Sequence, residues 1–106
     1  MEIAFAPVTL QSAAAATGNG TVLACNNYET IAVQVNGTFV GTVSFEGSID
    51  GVNFYAVPFI SSAGTNATTA TATGIFLSAA DGYSSFRARV SAYTSGTITV
   101  IAGGKG

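Results

Sequence analysis

Histidine and tryptophan are absent from the chain, and cysteine occurs once, at Cys25. Without His there is no Ser–His–Asp or Cys–His arrangement, so the common nucleophilic hydrolase chemistries are excluded. A lone thiol closes no intramolecular disulfide and builds no thiolate metal cluster. Cys25 is therefore expected to be a small buried hydrophobe. Charge is scarce too. Only 8% of residues are charged: Arg87, Arg89 and Lys105 against Glu2, Glu29, Glu46, Asp50 and Asp81, for a formal net charge of −2. Three cations cannot form the basic face that neutralises phosphates, so nucleic acid is not an expected partner. No apolar run reaches the roughly 18 residues of a spanning helix, and no membrane partner is expected. The start, MEIAFAPVTLQSAAAA, lacks the basic region of a secretory signal, so export by that route is not expected either. Neither a glycine-rich phosphate loop nor metal-ligand spacing is present, so no cofactor and no metal are expected.

What the chain does have is small and apolar. Of its 106 residues 48% are hydrophobic. A chain of this length makes one domain and buries roughly two-thirds of its unfolded surface. With so little charge, the surface is one of hydroxyls, methyls and backbone. Ordinary soluble monomers keep apart through mixed surface charge. Its scarcity points to a chain partly covered by partners, the other reading being a secreted domain with a neutral Thr/Ser surface.

Hydrophobic periodicity is that of strands throughout. Residues 37–59, GTFVGTVSFEGSIDGVNFYAVPF, are the organising stretch. Val43, Phe45 and Ile49 fall on one face and Thr42, Ser44, Glu46 and Ser48 on the other. Asp50-Gly51 then predicts a type I′ hairpin turn into a strand over 53–59. Residues 1–20 read as an N-terminal arm or edge strand, limited by Pro7, and a loop; residues 21–106 read as the sandwich domain. Residues 21–25 predict a strand, and 30–35 another with Ile31, Val33 and Val35 together. Asn36-Gly37, a strong hairpin signal, predicts that the 39–48 strand pairs back on it. The Thr/Ala-rich 61–73 reads as a loop or a flat strand, and 74–77 as an apolar piece. In 83–93, Phe86, Ala88, Val90 and Ala92 are expected inward and Arg87, Arg89, Ser91 and Tyr93 outward. Residues 97–102 are the last strand, with 103–106 a frayed tail. Seven to nine short strands without a helical period predict an all-β fold, an antiparallel β-sandwich of jelly-roll or Ig-like order.

No residue is assigned a catalytic role. Asp50 and Asp81 could be paired carboxylates of a glycosidase, but each sits in an Asp-Gly turn, and turn chemistry accounts for both. Glu46 has a structural role to play: Arg87 and Arg89 lie on a strand expected beside it, and a Glu–Arg pair would pin the register. The sequons at Asn19, Asn36 and Asn66 follow from a composition rich in Asn, Gly and Thr. The Phe residues fall mostly on inner faces. Tyr28, Tyr55, Tyr83 and Tyr93 are rim candidates, suited to a protein interface or to a sugar.

Residues 39–57, FVGTVSFEGSIDGVNFYAV, and 86–103, FRARVSAYTSGTITVIAG, resemble a group of small β-sandwich virion proteins of tailed bacteriophages. Gly41, Thr42, Glu46, Gly47, Ser48, Asp50, Gly51, Asn53, Phe54, Arg87, Arg89, Ser95 and Gly96 carry the resemblance, with Phe54 where Trp is common. It implies a non-enzymatic virion structural protein: a capsid decoration (cement) protein, or alternatively a tail or head-fibre module. The implied partner is the major capsid protein or another virion protein, with a homo-oligomer, a trimer, as the form. The implied location is the capsid surface, after synthesis in the host cytoplasm. Ile3, Phe5, Pro7, Val8 and Tyr93 are the interface candidates. The hairpin is also similar to one in discoidin-like sugar-binding domains, so a carbohydrate-binding sandwich is the alternative from another class, with a glycan as ligand.

Overall fold

A strand with one face in the core shows a two-residue burial rhythm, and the 30–36 stretch has it: Ile31, Val33 and Val35 are fully buried while Ala32 and Gln34 face out. The computed structural model describes residues 7–25, 28–79 and 82–105. Among these, eleven strands follow in order: β1 (Val8–Ala14), β2 (Leu23–Ala24), β3 (Thr30–Asn36), β4 (Phe39–Ser48), β5 (Tyr55–Ala56), β6 (Phe59–Ser61), β7 (Asn66–Ala67), β8 (Thr69–Ala70), β9 (Gly74–Ala79), β10 (Ser85–Gly96) and β11 (Ile98–Lys105). One sheet runs β1-β11-β3-β9-β6-β7 and the other β2-β10-β4-β5, with β8 also paired to β4. Neighbouring strands are antiparallel, from β1–β11 through β4–β10 to β6–β9. The architecture is the expected antiparallel β-sandwich, and two-residue strands such as β5, β7 and β8 take the count past nine.

The core lies between the sheets. Phe45 is its centre, with ring centroids 4.8 Å from Phe59, 5.1 Å from Phe76 and 6.4 Å from Phe86. Val43 and Val90 of one sheet and Ile98 and Val100 of the other complete it, all at most 1% exposed. Each such side chain contributes about 1.5–3 kcal/mol by leaving water. Gln11 ties the sheets together: it is buried on β1, and its Nε2 donates to Gly18 O at 3.1 Å and to Ala88 O of β10 at 2.9 Å.

Several local expectations are overturned. The Asn36-Gly37 step is not a hairpin: β3 pairs with β11 and β9, β4 pairs with β10, and the step crosses between sheets. Gly37 is needed there because its φ is 114° and a Cβ would collide with the Thr97 carbonyl. The Asp50-Gly51 turn is not type I′, since only Gly51 has positive φ (77°), and β4 and β5 meet at Gly47↔Tyr55 across a longer loop. Ile49 lies in that loop, 80% exposed, rather than in the core. A register shift between Val90 and Ala92 turns Ala92 outward and lets Tyr93 pack on the core. The 11–20 segment is not all loop, because β1 continues to Ala14 through irregular register with Ala13 at φ 46°. The tail is no frayed end up to Lys105: Gly103 and Gly104 are buried and pair with Ala32 and Ile31.

Candidate functional site

The loop after β4 is organised by one carboxylate. Asp50 Oδ1 accepts from the backbone N–H groups of Val52 and Asn53, each at 2.8 Å, and from Ser48 Oγ at 2.9 Å. Its Oδ2 accepts from Asn53 Nδ2 at 2.9 Å, and Gly51 N–H donates to Ser48 Oγ at 2.9 Å. These donors, the Asn53 and Val52 amides foremost, hold the Asp50 carboxyl far below the usual carboxylate range. Ser84 Oγ donates to Ile49 O at 2.7 Å and anchors the loop to the strand region before β10. Asp50 is thus an Asx-type loop hub. Asp81 lies outside the described residues.

Beneath this loop, Glu46 and its two arginines meet on the outer face of the second sheet. Glu46 stands opposite Arg87 in the β4–β10 register. Arg87 Nε donates to Glu46 Oε1 at 2.7 Å; Arg89 Nε and Nη2 donate to Oε2 at 3.1 and 2.9 Å. Glu46 is only 8% exposed. That burial would raise its pKa, but the hydrogen bonds from Arg89 and Arg87 outweigh it and hold Glu46 below the ordinary range. The Arg87 guanidinium also lies 4.2 Å from the Phe54 ring centroid, a cation–π contact that joins the loop to the ion pair.

At the same end of the sandwich lies a pocket of about 440 Å³ formed by the loop, Tyr55, Val57 and Tyr83. Gly47 supplies its floor, for a Cβ there would stand 3.1 Å from Val57 Cγ1 and 3.2 Å from the Tyr83 ring. The Tyr55 ring is 72% exposed at the mouth. Burial pushes the Tyr83 phenol upward, against a smaller lowering by the Ser78 hydroxyl. Cys25 is buried, and desolvation pushes its thiol up to about 11, which makes it a poor nucleophile. Among the described residues, no group of three His, Cys, Asp or Glu could hold a metal ion.

Of the described interface candidates, Val8 lies in the six-stranded sheet and Tyr93 in the other. Ile3 and Phe5 lie outside the described residues. Pro7 is exposed and Val8 partly so, but Val8 is paired into the edge strand opposite Ala102 and is no free arm. Tyr93 is in the other sheet, half-buried, its hydroxyl donating to Gly96 O at 2.8 Å. The rim expectation fits Tyr55, whereas Tyr28, Tyr83 and Tyr93 pack against the core.

A surface the sequence reading missed is the outer face of the six-stranded sheet. Ile60 stands opposite Leu77, Leu77 opposite Ala32, and Ile75 opposite Gln34, which in turn faces Ile101. Ile60, Ile75 and Leu77 are each about half exposed. Lys105, at the end of β11, is the nearest charge on these strands. The signal was present in the sequence: IFL and VIA place apolar residues at both parities of a strand, the pattern of a sheet covered on both faces.

No protein-family model matches the chain, and no curated protein matches it. Among solved structures, the chain is similar to the SPBc2 prophage-derived protein YomS, with TM-score 0.90 and 14% identity over 100% of this chain and 96% of that one. It is also similar to the PBSX exported protein XepA, with TM-score 0.91 and 16% identity over 97% of this chain but 38% of that one. Both structural neighbours are phage-derived, and at such identity the likeness is one of fold.

Proposed function

We propose that the chain is a non-enzymatic structural protein of a phage virion, a capsid decoration protein that binds the outside of the assembled shell and stabilises it. The observation that carries this reading is the unlike character of the two outer faces. On the second sheet the charges are paired beside hydroxyls, such as Ser44 hydrogen-bonded to Ser91 at 2.7 Å, and the exposed apolar Val40 stands apart near the start of β4. The six-stranded sheet presents Ile60, Ile75 and Leu77 to solvent instead. The phage origin of both structural neighbours supports the class, and the description of one as exported suits work on a released particle.

The apolar face also suits weak, repeated contacts. The four strands that carry it, about 4.8 Å apart, with up to six residues each at about 3.3 Å give at most roughly 400 Å² in projection. A standard protein interface buries about 800 Å² of accessible surface per partner. One such contact is modest, and avidity from a homotrimer would strengthen it. A ligand that binds only the assembled shell stabilises it by mass action.

The test is light scattering and co-sedimentation of the full-length chain with empty capsids of its source virus. A stable oligomer that sediments with capsids is expected. Leu77→Glu, at an exposed position, should keep the fold and lose the capsids. A 10.6 kDa monomer indifferent to capsids would refute the proposal.

A further inference from the structure

The pocket beside the β4–β5 loop is not used by the shell-binding reading, and its chemistry is of another kind. Its volume of about 440 Å³ falls within the roughly 300–1,000 Å³ of small-molecule sites. Tyr55 leads into it from β5, paired with Gly47, over which Val57 and the Tyr83 ring pack closely to form the floor. An exposed aromatic ring offers a flat apolar face with a polar tip. Beside it, Asn53 Oδ1 has no hydrogen-bond partner among the described residues, and Asp50 Oδ2 has one, leaving acceptor capacity on each.

We infer that this pocket binds a neutral sugar, a hexose or N-acetylhexosamine unit whose ring face lies on Tyr55 and whose hydroxyls donate to Asn53 Oδ1 and Asp50 Oδ2. The alternatives fit less well. No Lys or Arg lines the pocket, so a phosphate or carboxylate meets no cation there and faces the Asp50 charge. A wholly apolar ligand would strip water from both acceptors without replacing it. An organic ammonium would find two tyrosines, but Asp50 is fully open to water and already shared among four donors, so its pull on a cation is screened. A sugar uses the ring face and the free acceptors together.

The inference is independent of shell binding and is tested apart from it. The full-length chain, labelled with nitrogen-15, is titrated with glucose, galactose, N-acetylglucosamine, glucose 6-phosphate and choline, each to about 20 mM, a range that reveals millimolar binding. Expected are saturable amide shifts confined to residues 47–55 and 82–83 with at least one neutral sugar, and none with the phosphorylated one. Tyr55→Ala, at an exposed position, should keep the dispersed spectrum and weaken binding at least tenfold, and Tyr55→Trp should restore it. Co-sedimentation of Tyr55→Ala with capsids should be unchanged, so the two proposals fail separately. Absence of saturable shifts with all three neutral sugars, shifts that persist in Tyr55→Ala, or binding of choline alone would each overturn the inference.

Discussion

Replacing Glu46 with Gln tests what the ion pair contributes. The substitution keeps the shape but removes the charge that receives three hydrogen bonds, at 2.7, 2.9 and 3.1 Å. Bonds to charged groups contribute about 1.5–3 kcal/mol each, but a simple sum overshoots, because dehydrating the carboxylate costs several kcal/mol. The arginines limit the loss further: Arg89 is 36% exposed at its side chain and can regain water when its partner is gone. A cost of about 2 kcal/mol follows, roughly 10 °C in Tm for a domain of this size. In urea, with a slope of about 1–2 kcal/mol/M, the midpoint should fall by about 1–2 M.

The pH dependence provides the internal check. Glu46 is held below its ordinary value, so in the unfolded chain it binds protons at a higher pH than in the folded one. Its contribution is therefore complete above the unfolded carboxylate value of about 4.3 and fades as pH falls through the folded value. The difference between wild type and Glu46→Gln should be constant from about pH 7 to 5 and shrink below about pH 4. A double-mutant cycle with Arg89→Met should give a coupling of about 1 kcal/mol. A midpoint that moves by less than about 0.3 M, with no change in the difference on acidification, would refute the reasoning.

Two further outcomes follow from single side chains. Cys25, buried and with its thiol pushed up to about 11, should resist iodoacetamide at pH 8 in the folded chain and react readily in denaturant; rapid alkylation without unfolding would contradict its burial. Ala13 sits at φ 46°, where an L-residue bears about 1–2 kcal/mol of strain. Ala13→Gly should therefore leave the urea midpoint unchanged or raise it, while Ala88→Gly in the core should lower it, at a cost in stability of about 1 kcal/mol.

Strands with strict alternation and strong β-formers were legible: 30–35, 86–90 and 97–102 place their apolar residues where the sequence pattern puts them. The pattern fails where one inserted residue changes parity. At Ser91 the bulge moves Ala92 out and Tyr93 in, and nothing in the composition of VSAY marks it. Asn36-Gly37 misleads for a different reason: a glycine with positive φ serves a crossing between sheets as well as a hairpin. The 48–54 loop carried a readable signal, since Ser two before and Asn three after an Asp are the partners of an Asx-type turn. The pocket carried none. It depends on bringing Tyr55 beside Tyr83, an outcome of sheet packing that no local period encodes.

The same geometry explains why the hairpin motif speaks for fold more than for partner. Glu46 is consumed by Arg87 and Arg89, Phe54 by the Arg87 guanidinium, and Ser48 and the Asn53 amide groups by Asp50. Gly47 is the space that Tyr83 and Val57 occupy. A group whose hydrogen bonds and ring contacts are met within its own chain has little left to offer another molecule. The two proposed contacts use what these bonds leave over: the half-exposed Ile60, Ile75 and Leu77 on the opposite sheet, and the Tyr55 ring with the remaining acceptor capacity of Asn53 and Asp50. Substitutions of Glu46, Arg87 or Arg89 should thus act through stability, and substitutions of Leu77 or Tyr55 through binding at unchanged stability.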